Sequence, residues 1–342
     1  MSPDLQAPDA LRRLAAAGDT AAQTALAKRL LMGRDVPRDP DAAAGLLAQA
    51  AQAGSGEAAA QIAVLVAAGA RAIEDWFMAL DYLQQSAEQG WAVAHRQLIL
   101  LASDREAAAR AADRPSPEIW GTLRRSVRLR DWFAAPALER VSEAPDIRIA
   151  ENFLPQAVCD WMIDRGRGLE VPARTFDRVT GAARIDPDRS NSAAMFDIVE
   201  SDLVLLAVRS RICAATGFFT HQLEETNVLH YTVGQRFARH FDFLEPEADG
   251  TADEIAQMGQ RAATFLIYLN EGFADGETDF PALGRRFKPG RGGALFFSNL
   301  DAARAPDRKT LHAGLAPSAG EKWLLSQWIR EAVPPEAECA RP

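Results

Sequence analysis

Three glycines in the first third of the chain are separated by the same interval of 36 residues: Gly18, Gly54 and Gly90. The segments around them align without gaps, and each carries alanines at helical spacing on both sides of its glycine: 14–26, 50–62 and 86–98. A constant period of this length is typical of helical repeat proteins, in which each repeat buries its apolar face against its neighbours. We therefore predict helix-turn-helix repeats over residues 8–105, stacked as an α-solenoid.

The rest of the chain has a different pattern. The stretch 103–117 combines charged residues with two prolines, which is typical of a linker, and we assign 106–145 to a linker and connecting helix. Beyond it, an entering strand at 147–149 and a helix to about residue 165 precede short aromatic and aliphatic runs: 227–231, 237–243, 263–269, 293–297 and 323–330. Many short strands without long helices between them predict an all-β sandwich or jelly roll over 146–332.

Charge and composition exclude several classes of function. A length of 342 residues has room for two domains, and the net charge of −9 argues against a nucleic-acid partner, which needs a concentrated basic surface. The sequence has no apolar run long enough to span a bilayer and no basic start followed by an apolar stretch. The three cysteines lie far apart in sequence. We therefore predict a cytoplasmic protein without a membrane partner.

Four residues near the C-terminal end suggest a metal site with an attached anion pocket. His240 and Asp242 lie two apart in a predicted strand, so their side chains point to the same face, and His312 follows 70 residues after Asp242. Two imidazoles and one carboxylate leave open positions on Fe(II) for a 2-oxo acid and O2. Lys322, ten residues after His312, would supply a cation for 2-oxoglutarate. The other three histidines are interpreted as packed or solvent-bonded: His95, His221 and His230.

The residues around this set resemble those of prolyl 4-hydroxylases. Five segments carry the resemblance, in order and with suitable spacing: YTVGQRFARHFDF (231–243), GQRAATFLIYLN (259–270), GETDFP (276–281), GGALFF (292–297) and GEKW to WIR (320–330). The likeness extends from about residue 146 to 331. The N-terminal repeats are similar to Sel-like repeats, which are relatives of the tetratricopeptide repeat, through their period, their small residues and pieces such as SAEQG (86–90).

The resemblance implies a double-stranded β-helix, so the fold class is α+β, with an N-terminal α-solenoid and a C-terminal jelly roll. It implies Fe(II), 2-oxoglutarate and O2 as cofactors, with ascorbate as a candidate stimulant. The implied metal ligands and catalytic residues are His240, Asp242 and His312. Lys322 would bind the distal carboxylate of 2-oxoglutarate. Four further residues match cofactor-pocket positions: Tyr231, Tyr268, Thr278 and Trp328.

The leading hypothesis is hydroxylation of a residue, above all proline, in a peptide or protein, with succinate and CO2 as co-products. The repeats would then recruit the polypeptide. In a second hypothesis the substrate is a free amino acid or small metabolite and the repeats serve assembly. A third treats the chain as a binding module that has lost turnover, which the intact ligand set and Lys322 argue against. For the repeats, a purely supporting role also stays open.

Overall fold

The computed structural model describes residues 8–70, 72–176, 183–185, 189–245, 247–248 and 251–331. The chain divides into two compact units. One contains Met1–Trp132 and Ile198–Ala207, and the other contains Phe133–Asp197 and Val208–Pro342. None of the helices described has the length and apolar character needed to cross a lipid bilayer.

The first unit consists of helices, and each of the first six contacts the next helix along the chain. The first six are α1 Pro8–Ala16, α2 Thr20–Met32, α3 Pro40–Gln52, α4 Gly56–Ala67, α5 Trp76–Glu88 and α6 Ala92–Leu101. The three repeat glycines lie between paired helices with φ of +88°, +96° and +82°, a left-handed conformation that ends a helix at little cost for glycine. The six alanines that flank these glycines at helical spacing are all buried: Ala15, Ala22, Ala51, Ala58, Ala87 and Ala94. The predicted helix pairs and their small-residue contacts are therefore present.

The segment predicted as a linker is also helical in the structure. Three more helices follow α6: α7 Arg105–Asp113, α8 Pro117–Ser126 and α9 Leu129–Phe133. The Asp104 side chain accepts a hydrogen bond from the Ala107 amide and so caps α7, and Pro117 occupies the first turn of α8. Trp120 and Leu123 on α8 are buried. The charges and prolines that suggested a linker thus lie at helix ends and on exposed faces.

The second unit is built on antiparallel sheets. Its strands are β1 Glu139–Glu143, β2 Asp146–Ala150, β3 Val171–Pro172, β4 Arg174–Phe176, β5 Ala183–Ile185, β6 Ser192–Phe196, β7 Thr226–Tyr231, β8 Phe237–His240, β9 Arg261–Tyr268, β10 Ala274–Asp275, β11 Thr278–Phe280, β12 Arg285–Phe287, β13 Ala294–Ser298, β14 His312–Gly314, β15 Pro317–Ala319 and β16 Lys322–Arg330. Helices α10 Gln156–Gly166 and α12 Thr251–Met258 accompany them. Helix α11 Leu203–Thr216 begins in the stretch assigned to the first unit and continues into the second.

Two of these sheets form the frame of the unit. The large sheet has the order β1-β2-β13-β9-β16-β7-β6-β3, and the small sheet has the order β12-β11-β14-β8. Two smaller pairs join β10 to β15 and β4 to β5. Residues from both main sheets share one hydrophobic core, in which Phe280 and Phe287 of the small sheet pack with Leu229, Leu266 and Leu324 of the large sheet. The core therefore lies between the two sheets.

The opposite face of the large sheet is covered by α10. A Cβ on Gly166 would lie 3.0 Å from Val228 and 3.3 Å from Trp323, so the helix approaches the sheet closely at this residue. Six of the strands described were predicted, β2, β7, β8, β9, β13 and β16, and each agrees with its prediction within two residues at each end, except β8. Strand β8 ends at His240, whereas the predicted strand continued to residue 243. The other strands were not predicted individually.

Candidate active site

Two histidines face each other on neighbouring strands of the small sheet. His240 ends β8 and His312 begins β14, and the two residues are direct cross-strand partners with ring centroids 4.3 Å apart. The Nε2 atom of His240 lies 3.5 Å from Asp242 Oδ1, and the Nε2 atom of His312 lies 3.6 Å from Asp242 Oδ2. Potential ligand atoms of these three residues all lie within 4.8 Å of one another. The structure thus brings together the three residues that were selected from the sequence.

Backbone carbonyls fix the orientation of both imidazoles. His240 Nδ1 lies 2.8 Å from the carbonyl oxygen of Ala238, and His312 Nδ1 lies 3.0 Å from that of Thr310. A carbonyl only accepts hydrogen bonds, so each Nδ1 is the donor, and each Nε2 is the ring nitrogen on the side of Asp242. Hydrogen bonding of this kind holds the ligand nitrogen of a metal-binding histidine in place.

The position of Asp242 does not come from strand alternation, which was the basis for its selection from the sequence. Asp242 lies in a bend just beyond β8. Its Oδ2 accepts a hydrogen bond of 2.7 Å from the Thr264 hydroxyl on β9, and the Asn299 amide donates to the same hydroxyl at 3.1 Å. Asp242, Thr264 and Asn299 are all buried. A polar chain from the large sheet therefore positions the carboxylate.

Burial and neighbouring charges set the protonation of this cluster. Burial, together with the nearby charge of His240, lowers the pKa of His312 to about 4. Burial alone would raise the pKa of Asp242, but the charge of His312 and the contacts of His240 and Thr264 hold that pKa well below its usual range. At neutral pH the cluster therefore presents a neutral His312 and an ionised Asp242, the forms in which both residues bind metals.

Lys322 forms the second part of the site. It begins β16 and is completely buried, and its Nζ has no hydrogen-bond partner among the residues that the structure describes. The Nζ lies 4.8 Å from the ring centroid of Tyr231 and 5.4 Å from that of Tyr268. Burial lowers the pKa of Lys322 to about 7. A buried ammonium without an acceptor calls for an anionic partner.

Gly320 allows Lys322 to occupy this position. Its φ is +75°, and a Cβ would lie 2.2 Å from the carbonyl oxygen of Gly272. Only glycine fits at this approach of two backbone segments. The chain therefore enters β16 two residues before Lys322 at a fixed angle.

The two tyrosines beside Lys322 have different surroundings. The Tyr268 hydroxyl lies 2.8 Å from Thr278 Oγ1 and donates to the carbonyl oxygen of Phe287 at 3.0 Å. The Tyr231 hydroxyl lies next to Gly314, where a Cβ would be 3.3 Å away, and burial raises the pKa of Tyr231 to about 12. Both phenols thus stay neutral. Tyr268 is held by the protein itself, so its hydroxyl faces Thr278 rather than the open cleft.

One cleft connects the histidine pair to the lysine. Its empty volume is about 460 Å³, including the space open to solvent. The lining includes seven of the eight predicted site residues: Tyr231, His240, Asp242, Thr278, His312, Lys322 and Trp328. Tyr268 is the exception. It supports the wall through Thr278.

The contribution of Thr264 was not predicted from the sequence. This hydroxyl is a polar group inside the apolar run of β9, and that contrast was a usable signal.

Arg189 also lines the cleft, with its guanidinium 4.6 Å from the ring centroid of Phe237. Two of the other histidines stack on tryptophans, His95 on Trp120 and His230 on Trp323. Neither of these two lines the cleft.

Comparison with known proteins shows what the region around this site is similar to. Residues 226–330 match the 2OG-Fe(II) oxygenase superfamily. The chain is 27% identical over 234 residues to "Probable prolyl 4-hydroxylase 4" of Arabidopsis thaliana, covering 60% of this chain and 76% of the relative. Among the curated relatives, it is also 34% identical over 153 residues to "Prolyl 4-hydroxylase subunit alpha-1" of Mus musculus, covering 45% of this chain and 28% of the relative.

Among solved structures, the viral collagen prolyl hydroxylase of Paramecium Bursaria Chlorella virus-1, in its 2OG complex, is 28% identical. It covers 56% of this chain and 99% of its own, with a TM-score of 0.43. The matched region 226–330 contains the histidine pair, Asp242 and Lys322. The chain therefore contains a 2OG-Fe(II) oxygenase domain, is similar to prolyl 4-hydroxylases and is a 2-oxoglutarate-dependent dioxygenase.

Proposed function

We propose that this protein hydroxylates a prolyl residue in a peptide or protein, using Fe(II), 2-oxoglutarate and O2. The observation that carries the proposal is the buried Lys322 ammonium, which lacks an acceptor among the described residues and lines the same cleft as His240, Asp242 and His312. A dicarboxylic oxo acid bound next to a metal needs a cation for its distal carboxylate and a set of metal ligands nearby. The Lys322 ammonium would supply the first, and the two imidazoles and one carboxylate would supply the second.

In this proposal Fe(II) is held by His240, Asp242 and His312. Two nitrogen donors and one carboxylate on one side of an ion suit the ferrous site of non-haem oxygenases, and they leave positions for other ligands. The Nε2 atoms already point toward Asp242 because their Nδ1 protons are engaged with backbone carbonyls. The protein thus holds the donor atoms in place before the metal binds.

Lys322 and the residues around it would hold 2-oxoglutarate. The ammonium would bind the distal carboxylate, with Tyr231 beside it and Thr278 in the wall. Because Tyr268 bonds Thr278 and Phe287, its role is to orient Thr278 rather than to touch the co-substrate. Trp328 would form part of the wall that faces the substrate.

With both groups bound at this site, Fe(II) would let O2 act as the oxidant and 2-oxoglutarate would supply two electrons. One oxygen atom would enter the substrate C–H bond, and the other would enter succinate as CO2 is released. The protein's own part is to hold one C–H bond in reach and to exclude water and competing groups. The apolar wall of the cleft, which includes Leu229, Leu266 and Leu324, suits the aliphatic ring of proline.

We also propose that the second unit is a double-stranded β-helix spanning 146–332 and that the helix pairs at 8–105 form a Sel-like solenoid that recruits the polypeptide. Similarity to enzymes named for prolyl hydroxylation supports a prolyl substrate. Three exposed apolar residues of the helical unit suit contact with a polypeptide: Ile73, Phe77 and Met78.

The test incubates the full chain with Fe(II), 2-oxoglutarate and either a proline-rich peptide or free L-proline. Mass spectrometry would show the gain of one oxygen atom on the peptide, together with succinate. Product on free proline alone would overturn the assignment of a peptide substrate and favour the small-molecule alternative. Absence of succinate with every substrate and with cell-lysate peptides would overturn the assignment of turnover.

A matched pair of variants tests the metal ligands. His312→Asn removes a proposed ligand, and we expect loss of iron-dependent turnover. His230→Asn is the control, because this histidine stacks on Trp323 and lies outside the cleft. Turnover of the His312→Asn protein at the level of the control would contradict the ligand assignment.

For recruitment, we expect Phe77→Ser with Met78→Ser to weaken turnover of a protein substrate and to leave a short peptide unaffected. Equal turnover of the protein substrate with and without the two substitutions would contradict recruitment at this surface.

A further inference from the structure

Asn299 lies directly after β13 and connects the supports of two proposed metal ligands. Its side chain is completely buried and does not line the cleft. Its backbone amide donates to the carbonyl oxygen of Ala262 at 2.8 Å, which fixes the residue against β9. Its side-chain amide donates to the Thr264 hydroxyl at 3.1 Å, and that hydroxyl donates to Asp242 at 2.7 Å.

The direction of the two hydrogen bonds at Thr264 follows from the chemistry of the three groups. A hydroxyl has one proton to donate, an amide NH2 group only donates, and an ionised carboxylate only accepts. If the amide of Asn299 were turned over, its oxygen would face the Thr264 oxygen, whose only proton is already bound to Asp242. The amide nitrogen must therefore face Thr264, and it leaves the hydroxyl proton for Asp242.

The second polar atom of this side chain, Asn299 Oδ1, is buried and has no hydrogen-bond partner among the residues that the structure describes. A buried acceptor without a donor lowers the stability of the fold. A leucine of similar size would avoid this loss, but it could not donate to Thr264. The asparagine at this position therefore serves its bond to Thr264 rather than packing.

The main chain of Asn299 leads to His312. Its carbonyl oxygen accepts a hydrogen bond from the backbone amide of Asp307 at 2.9 Å. The Asp307 carbonyl oxygen accepts two hydrogen bonds from Thr310, one from its amide at 3.0 Å and one from its hydroxyl at 2.7 Å. The Thr310 carbonyl oxygen accepts from His312 Nδ1 at 3.0 Å. A continuous chain of hydrogen bonds therefore joins Asn299 to this imidazole.

We propose that Asn299 is a positioning residue for both Asp242 and His312. Its amide directs the Thr264 hydroxyl toward Asp242, and its carbonyl oxygen holds the segment that orients His312. The inference rests on the proposed function, because it takes these two residues as metal ligands. Asn299 lies outside the cleft, so it acts through other residues and does not touch the metal.

Equilibrium dialysis with Mn(II) tests the side-chain contact. Asn299→Leu removes the amide donor at similar side-chain size, and we expect it to weaken Mn(II) binding about tenfold. In the Thr264→Val background the same substitution should weaken binding no further, because its effect passes through the hydroxyl. Asn299→Ser is a second variant in case the leucine protein does not fold. Its side chain is one bond too short to replace the amide, so we expect the same loss.

Thr226→Val is the matched control. The Thr226 hydroxyl is also completely buried, and it donates to a buried carboxamide, that of Gln327, at 2.6 Å. Neither residue lines the cleft. This variant therefore removes a hydrogen bond of the same kind elsewhere, and we expect unchanged Mn(II) affinity. Asn299 variants that bind Mn(II) as tightly as this control, or an effect that adds fully to that of Thr264→Val, would overturn the side-chain role.

Nuclear magnetic resonance of the histidine rings in the metal-free protein tests the main-chain contact. The chain has five histidines, and His312→Asn assigns the His312 signal. Asp307→Pro removes the amide that donates to Asn299, and the φ of −85° at residue 307 is close to the range of proline. We expect this substitution to shift or broaden the Nδ1–H signal of His312 in the ¹H–¹⁵N spectrum.

Asp307→Ala is the control for this experiment. It keeps the backbone amide and removes only the carboxylate that accepts from the Lys309 amide at 2.9 Å. The His312 signal should therefore change less in this variant than in Asp307→Pro. Equal changes in both variants, or no change in either, would overturn the main-chain role.

Failure of this inference is distinguishable from failure of the proposed function. Binding of Mn(II) by the wild type, and its loss in His312→Asn, establish the metal site. If the wild type does not bind Mn(II), the proposed function fails, while the His312 spectrum of the metal-free protein still decides whether Asn299 holds this imidazole.

Discussion

Replacement of Lys322 by methionine is expected to have opposite effects on the stability of this protein and on its binding of the co-substrate. Lys322 is completely buried without a hydrogen-bond acceptor among the described residues, and burial lowers its pKa from 10.5 to about 7. Methionine has a similar length and no charge. We therefore expect Lys322→Met to make the ligand-free protein more stable and to abolish binding of 2-oxoglutarate.

The size of the effect follows from the lowered pKa of Lys322. A tenfold change in the acid dissociation constant corresponds to about 1.4 kcal/mol, so the buried charge costs on the order of 5 kcal/mol. The rings of Tyr231 and Tyr268, 4.8 and 5.4 Å away, offset about 1 to 2 kcal/mol of this cost through cation–π attraction. The buried ammonium should therefore lower the free energy of unfolding of the ligand-free protein by about 3 kcal/mol below pH 7, where Lys322 is protonated in both the folded and unfolded states.

The pH dependence has a definite sign. Between pH 7 and 10.5 the unfolded chain binds more protons at Lys322 than the folded protein, so the wild-type free energy of unfolding rises with pH. The free energy of unfolding of Lys322→Met should therefore exceed that of the wild type most at about pH 6, and the difference should be smaller at about pH 9. Urea unfolding at both pH values, with the exposed Lys309→Met as control, measures the difference.

A methionine variant that is no more stable than wild type at the lower pH would refute this reasoning. So would an advantage that stays constant with pH, because it would then come from packing alone. Calorimetric titration of 2-oxoglutarate at a saturating level of a divalent metal tests the functional half. Wild-type affinity in the variant would show that Lys322 does not bind the co-substrate.

Three further outcomes are expected. Thr264→Val removes the hydrogen bond to Asp242 and should weaken Mn(II) binding about 10- to 100-fold in equilibrium dialysis; unchanged affinity would contradict the supporting role. Tyr268→Phe leaves the Phe287 carbonyl without its donor and should lower the free energy of unfolding by about 1 to 3 kcal/mol, measured with denaturant. Binding of 2-oxoglutarate above pH 7 should take up a proton on Lys322, seen by calorimetry in buffers of different ionisation enthalpy; heats independent of the buffer would contradict it.

Local sequence signals predicted much of the fold. The glycines at constant spacing marked helix ends, because a left-handed residue is needed at each turn and only glycine adopts it freely. The central strands of the large sheet, β2, β13, β9, β16 and β7, were predicted because they contain aliphatic and aromatic runs, as in β9, where all residues but the first are buried. The outer strands β1, β3 and β6 were not predicted. Segment 103–117 was interpreted as a linker, whereas residues 105–113 form a helix. The burial of Ala107 and Ala111 depends on neighbouring helices that are not visible in the local pattern.

The sequence pointed to residues that line the cleft, but it did not reveal the contacts that hold these residues in place. Spacing and motif resemblance selected His240 and Lys322, which the structure places in one cleft. Neither signal could show that the Tyr268 hydroxyl turns to Thr278, or that Arg261 covers Trp328. These contacts join strands in a register that only the folded sheet defines.

The two ends of the cleft differ in how the protein stabilises the buried charges of Asp242 and Lys322. Asp242 receives a hydrogen bond from Thr264 and lies beside two imidazoles, so the protein stabilises the carboxylate before any ligand arrives. Lys322 Nζ lies near the rings of Tyr231 and Tyr268 and is influenced by the charge of Glu277, but it has no hydrogen-bond acceptor among the described residues. An anion that enters the cleft would supply that acceptor. The metal end is therefore preorganised, whereas the co-substrate end gains its charge on binding. Affinity for the oxo acid should then vary with pH while the metal end stays formed, because Asp242 already has a hydrogen-bond donor and Lys322 has no acceptor among the described residues.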